Sequence, residues 1–113
     1  MTQVIFEPVS NRADWVQQVE VYDQDSNPFD LTGATIIFAL YDPKSKQQLL
    51  IAQTADGSLT IPAIGLIAFT IPVAKMRGLI IQKQYECGCT ALLGGVTQQI
   101  FTGSVAVYDG LVP

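Results

Sequence analysis

Apolar residues along most of this chain recur at every second position, and proline, glycine or a polar cluster closes each run early. That period belongs to strands with alternating faces, not to helices. "TQVIFEPV" reads as a first strand, ended by Pro8 and "SNR". "DWVQQVEVYD" places Trp15, Val19 and Val21 on one face, with Gln18 and Glu20 opposite. "ATIIFALY" alternates Ala34, Ile36, Phe38 and Leu40 against Thr35, Ile37, Ala39 and Tyr41. "QQLLIAQT", "SLTIP" and "GLIAFTIP" follow, with "ADG" as a tight turn. "VAKMRGL" is the one segment suited to a short helix, because Pro72 can stand at or just before a first turn.

The last two strands are long, about Gln82 to Leu93 and Val96 to Tyr108. Gly94 and Gly95 join them and supply the positive φ angles of a two-residue hairpin turn. The expectation is an all-β, immunoglobulin-like β-sandwich of seven or eight mostly antiparallel strands with one short helical turn, with a small closed barrel as the alternative. All 113 residues fit one domain with its own core.

The two cysteines, Cys87 and Cys89, stand in "QYECGCTALL" on the same side as Tyr85, Ala91 and Leu93. Side chains two apart on a strand are separated by about 6.5–7 Å, whereas a disulfide needs β-carbons roughly 3.5–4.5 Å apart. A structural zinc needs four ligands, and a chain with two Cys and no His offers two. An intersubunit metal site or a redox pair are the alternatives. The pattern favours two buried side chains, since free Cys packs as a small hydrophobe.

Charge narrows the function classes. Ten acids against six bases give a net charge of −4, and charged residues make up 14% of the chain. Five of the acids, Asp14, Glu20, Asp23, Asp25 and Asp30, fall near the amino end, and the lysines are scattered. An acidic chain without a basic stripe is a poor nucleic-acid binder, so none is expected. "DQDSNPFD" spaces Asp23, Asp25, Asn27 and Asp30 like the start of a calcium loop, but has Pro28 at the position of the required Gly and Ala34 at that of the Glu. A polar turn is the simpler reading.

With no His and five serines lacking a neighbouring base, no enzyme activity and no cofactor are expected. Glycines and prolines break the charge-free stretches 57–74 and 87–108, so no membrane span is expected. The start "MTQVIFEPVSNR" lacks the layout of a secretory signal.

The order of features from Asp23 onward carries a resemblance. It runs through "DLTG" (Asp30 to Gly33) and its amphipathic strand, then "ADGSLTIPAIGLIAFTIPVAKMRGL", then a closing hairpin ending "IFTGSVAVYDG". Over about residues 12 to 109 this resembles the small immunoglobulin-like β-sandwich domains encoded in phages and prophages, and is similar to the amino-terminal domain of phage baseplate upper proteins. The resemblance implies a virion- or tail-associated structural protein that works by assembly. It also implies a location in the virion, or in the host cytoplasm before assembly. Its motifs fix turns and core positions and assign no binding residues.

The expected partners are further copies of this chain, as a homo-oligomer, or other phage structural proteins. Sparse charge and strands apolar on both faces point to a shared surface. The candidate interface is Ile37, Ala39, Tyr41, Leu50 and Ala52, with Leu79, Ile80 and Ile81 nearby in sequence. The rival reading is an immunoglobulin-like binding module that recognises carbohydrate or protein through its loops, with Tyr22, Tyr41 and Tyr108 as candidate aromatics.

Overall fold

The computed structural model describes residues 2–23, 25–79 and 83–108, with backbone alone at 2, 3 and 83. Nine strands run through these residues: β1 (Thr2–Ile5), β2 (Val9–Ser10), β3 (Trp15–Glu20), β4 (Thr35–Tyr41), β5 (Gln48–Gln53), β6 (Leu59–Ala63), β7 (Leu66–Ile71), β8 (Lys83–Leu93) and β9 (Val96–Tyr108). A 3-10 turn, Thr54–Asp56, links β5 to β6, and one helical turn, α1 (Val73–Met76), follows Pro72. The chain is all-β and forms two sheets instead of one closed barrel.

The larger sheet has the order β1-β9-β8-β4-β5, with β2 also paired to β9, and the smaller has the order β3-β7-β6. Nine strands replace the expected seven or eight, partly because the first run splits. Pro8 has no N–H to donate to a ladder, and pairing lapses between β1 and β2. Both pieces run parallel to β9, against antiparallel pairing elsewhere. Gly103 permits this edge: a Cβ there would lie well inside 3.0 Å of Val4 O, where no real side chain fits.

The core fills the space between the sheets. Ile36, Phe38 and Leu40 of β4, Tyr85, Cys87, Cys89 and Ala91 of β8, and Phe101, Val105 and Val107 of β9 are buried from one side. Trp15 and Val19 of β3, Leu59 of β6, and Ile67, Phe69 and Ile71 of β7 meet them from the other. Phe38 and Phe69 stack at 4.2 Å between ring centroids. Trp15 stands edge-on to both, at 5.6 and 5.1 Å, a geometry favoured by ring quadrupoles. Phe6, just past β1, seals the cluster edge-on against Trp15, Phe38 and Phe101.

Candidate interaction surface

Register decides which apolar residues reach the outside. Leu40 pairs with Leu50 and Phe38 with Ala52, so on β5 the residues Leu50 and Ala52 share the core-facing side of β4. Both are buried, which corrects the expectation that they lie on the outer face. The sequence alternates Leu49-Leu50-Ile51-Ala52 with apolar residues on both sides, and only the pairing selects one. The apolar outward residues of this strand are Leu49, which is 38% exposed, and the half-buried Ile51.

On β4 the outward row is Thr35, Ile37, Ala39 and Tyr41, as the alternation predicts. Ile37 is 36% exposed and Tyr41 half-buried. Ala39 points the same way but is only 4% exposed, a second correction. Its methyl group is short, and it stands between Ile37 and Tyr41 on its own strand with Ile51 as its cross-strand partner. It is the floor of the patch and not a contact residue. The apolar outer surface is therefore Ile37, Tyr41, Leu49 and Ile51 around Ala39. Leu79 is buried in the core, and Ile80 and Ile81 lie outside the described residues.

Beyond β4 this face turns polar. Gly88 pairs with Ala39, and a Cβ on it would sit 3.2 Å from Gln99 Nε2. Gln99 donates that amide to Cys89 O (3.1 Å) and Phe101 O (2.8 Å). It thus spans the register shift at Cys89/Thr90, where Ile100 is the extra, buried residue of β9. Sequence reasoning missed this role, because a glutamine in an alternating strand carries no signal of a bulge. Lys46 and Glu86 pair at 2.8 Å nearby, both side chains more than half exposed. A second exposed apolar group, Leu92, Leu93 and Val96, surrounds the Gly94-Gly95 turn.

The two sheets part between β1 and β3, leaving a groove of about 560 Å³. Val4, Phe6 and Val19 form its apolar side, and Glu7, Glu20 and Tyr22 stand on its rim. Tyr22 donates its hydroxyl to Glu20 Oε2 at 2.5 Å. That hydrogen bond and the adjacent negative charge hold the phenol above its ordinary pKa. Trp15 Nε1 donates to Gln17 Oε1 (3.2 Å), and Gln17 Nε2 donates to Gln18 O (3.1 Å), along the β3 side. Of the three tyrosines singled out, Tyr22 borders this groove, Tyr41 lies on the outer face of the large sheet, and Tyr108 ends β9.

Cys87 and Cys89 are buried and free, as the strand pattern predicts. Burial pushes both thiols up to about 12, with the neighbouring Cys87 adding to the shift at Cys89. In the acidic turn, Asp23 Oδ1 accepts the N–H groups of Asp25 (2.9 Å) and Asn27 (3.0 Å). Asp30 Oδ1 accepts the hydroxyl (2.6 Å) and N–H (3.0 Å) of Thr32, which hold its carboxyl below the usual range. These carboxylates close turns through their own backbone. Among the described residues no three Cys, Asp or Glu side chains group as metal ligands, and no helix is long and apolar enough to cross a membrane. No protein-family model matches the chain, and no curated protein sequence matches it.

Proposed function

We propose that this protein is a non-enzymatic structural or assembly component of phage or prophage type, built on an immunoglobulin-like sandwich and acting through protein–protein contacts. The observation that carries the assembly reading is the outer face of the large sheet. Ile37, Tyr41, Leu49 and Ile51 expose apolar surface there on neighbouring strands. Contiguous apolar patches of this kind mark contact surfaces more often than ordinary solvent-facing skin. Only 14% of the residues are charged, so little repulsion keeps copies apart. The phage assignment is supported by the order of features from Asp23 to the closing hairpin and by that order alone.

The test is sedimentation at micromolar concentration. The wild-type chain is expected to associate, and Ile37→Lys with Leu49→Lys is expected to shift it to monomer without loss of folding. A wild-type monomer, together with unchanged behaviour of the double variant in a virion or prophage-particle incorporation assay, would remove this reading.

A further inference from the structure

The edges of the two sheets are not equally protected. β6 carries Pro62 and loses its register between Thr60 and Ala63. β5 has an irregular register against β4 and lies against β6 and β7, where the chain crosses between sheets. Proline, bulges, covering elements and lysine are the ordinary means of keeping an edge from pairing with another chain. Among the described residues, β3 has none of them. Its six residues, "WVQQVE", pair with β7 in unbroken register from Trp15↔Ile71 to Glu20↔Leu66. β1 is the terminal strand opposite it, and the two line the same groove with consecutive residues, Val4 to Glu7 and Gln17 to Glu20. Alternate residues of an edge strand turn their N–H and C=O away from the neighbour they already have, here toward that groove.

The side chains around the groove are sorted by depth. Val4, Phe6 and Val19 lie toward the core, while Glu7 and Glu20 are exposed at the rim. Among the described residues, no lysine or arginine lines it. Ile5, 80% exposed, extends the apolar surface at its mouth.

We infer that the β1–β3 groove receives an extended segment of another protein, which pairs with the β3 edge and carries apolar residues inward and basic residues outward. Backbone pairing supplies the affinity and the alternating side chains the specificity, as in other cases of strand addition. The inward residues cover Phe6 and Val19, and the outward lysines or arginines meet Glu7 and Glu20. The partner deepens the assembly reading above, and the inference rests on that reading only in taking protein contacts to be the function. The surface involved is a different one.

The probe is a fluorescein-labelled heptapeptide of alternating valine and lysine, followed by fluorescence anisotropy with the full chain. Saturable binding is expected. The same peptide methylated on alternate backbone nitrogens should lose it, because the edge then has no donors to pair with. A valine–glutamate peptide should not bind. Glu7→Lys with Glu20→Lys should weaken binding about tenfold, from reversal of two exposed ion pairs. Asp25→Lys, which removes an acid outside the groove, should leave it nearly unchanged. Trp15 emission reports whether each variant is folded.

Absence of saturable binding overturns the inference, as does equal binding of the methylated peptide or indifference to the two reversals. Displacement of the peptide by cellohexaose would also overturn it, in favour of a carbohydrate site beside Tyr22. Ile37→Lys with Leu49→Lys should leave peptide binding intact, so failure of the sheet-face reading and failure of this one are separable.

Discussion

Gly103→Ala sets two effects of different size against each other. Gly103 lies within β9 and has no positive φ. At such a position the exchange by itself stabilises by about 0.4–1 kcal/mol, through the lost freedom of the unfolded chain. Here the new Cβ would overlap Val4 O and lie 3.2 Å from Val4 C and 3.3 Å from Cys87 Sγ. The closest of these, Val4 O and C, are backbone and cannot swing aside, so relief requires β1 to lift from β9. Phe6 then leaves its place among Trp15, Phe38 and Phe101. Full removal of a buried phenylalanine costs about 3–5 kcal/mol. Set against the entropic gain, the expected net loss is about 2–4 kcal/mol. Urea unfolding followed by Trp15 fluorescence measures it, with the Phe6 ring 5.6 Å from the reporter. Phe6→Ala in the same background checks the route. If Gly103→Ala already frees Phe6, the double variant should fall short of the sum by at least about 1 kcal/mol. A stabilised Gly103→Ala, or strict additivity, would refute the reasoning.

The two thiols give a pH dependence of known sign. Their folded values lie near 12 against an ordinary 9.0, so the stability they confer is fully present below pH 9 and is lost as pH rises toward 12. Alkaline urea titrations should show that slope, and Cys87→Ala with Cys89→Ala should reduce it. In the native protein at pH 8, a thiol reagent should label both cysteines only as fast as the chain opens, reaching two per chain in urea. Fast native labelling would contradict their burial. The face assignment of β5 is checked by Leu50→Lys, which places an unpaired charge in the core and should cost about 3 kcal/mol or more. Ile37→Lys, on the opposite face of the paired strand, should change monomer stability by no more than about 0.5 kcal/mol. Equal effects of the two would mean that the β4–β5 register is misassigned.

Much of the fold was legible because alternation is a local property. The faces of β3 and β8 follow from their own residues: polar positions between Trp15, Val19 and Val21, and a buried row from Tyr85 to Ala91, leave one consistent side. The Gly94-Gly95 turn and the helical start after Pro72 follow from backbone chemistry in the same way. The cysteines were assigned to the core on ligand count and strand spacing, both of which need only the sequence.

What stayed hidden was every feature that depends on a neighbour distant in the chain. β5 is apolar on both sides, so its inward face was set by pairing Leu50 with Leu40 and Ala52 with Phe38. The shielding of Ala39 depends on the taller Ile51 across the ladder, and the task of Gln99 on a bulge in β9. Residues 2–9 were readable as strand, but their parallel seat on β9 required the glycine at 103, almost a chain length away. The β1–β3 groove is the clearest case. Glu7, Glu20 and Tyr22 come together because both sheets end at these strands, and no spacing along the sequence encodes where a sheet stops. Alternation chooses the face of a strand, but only the long-range ladder chooses its partner and leaves an edge open.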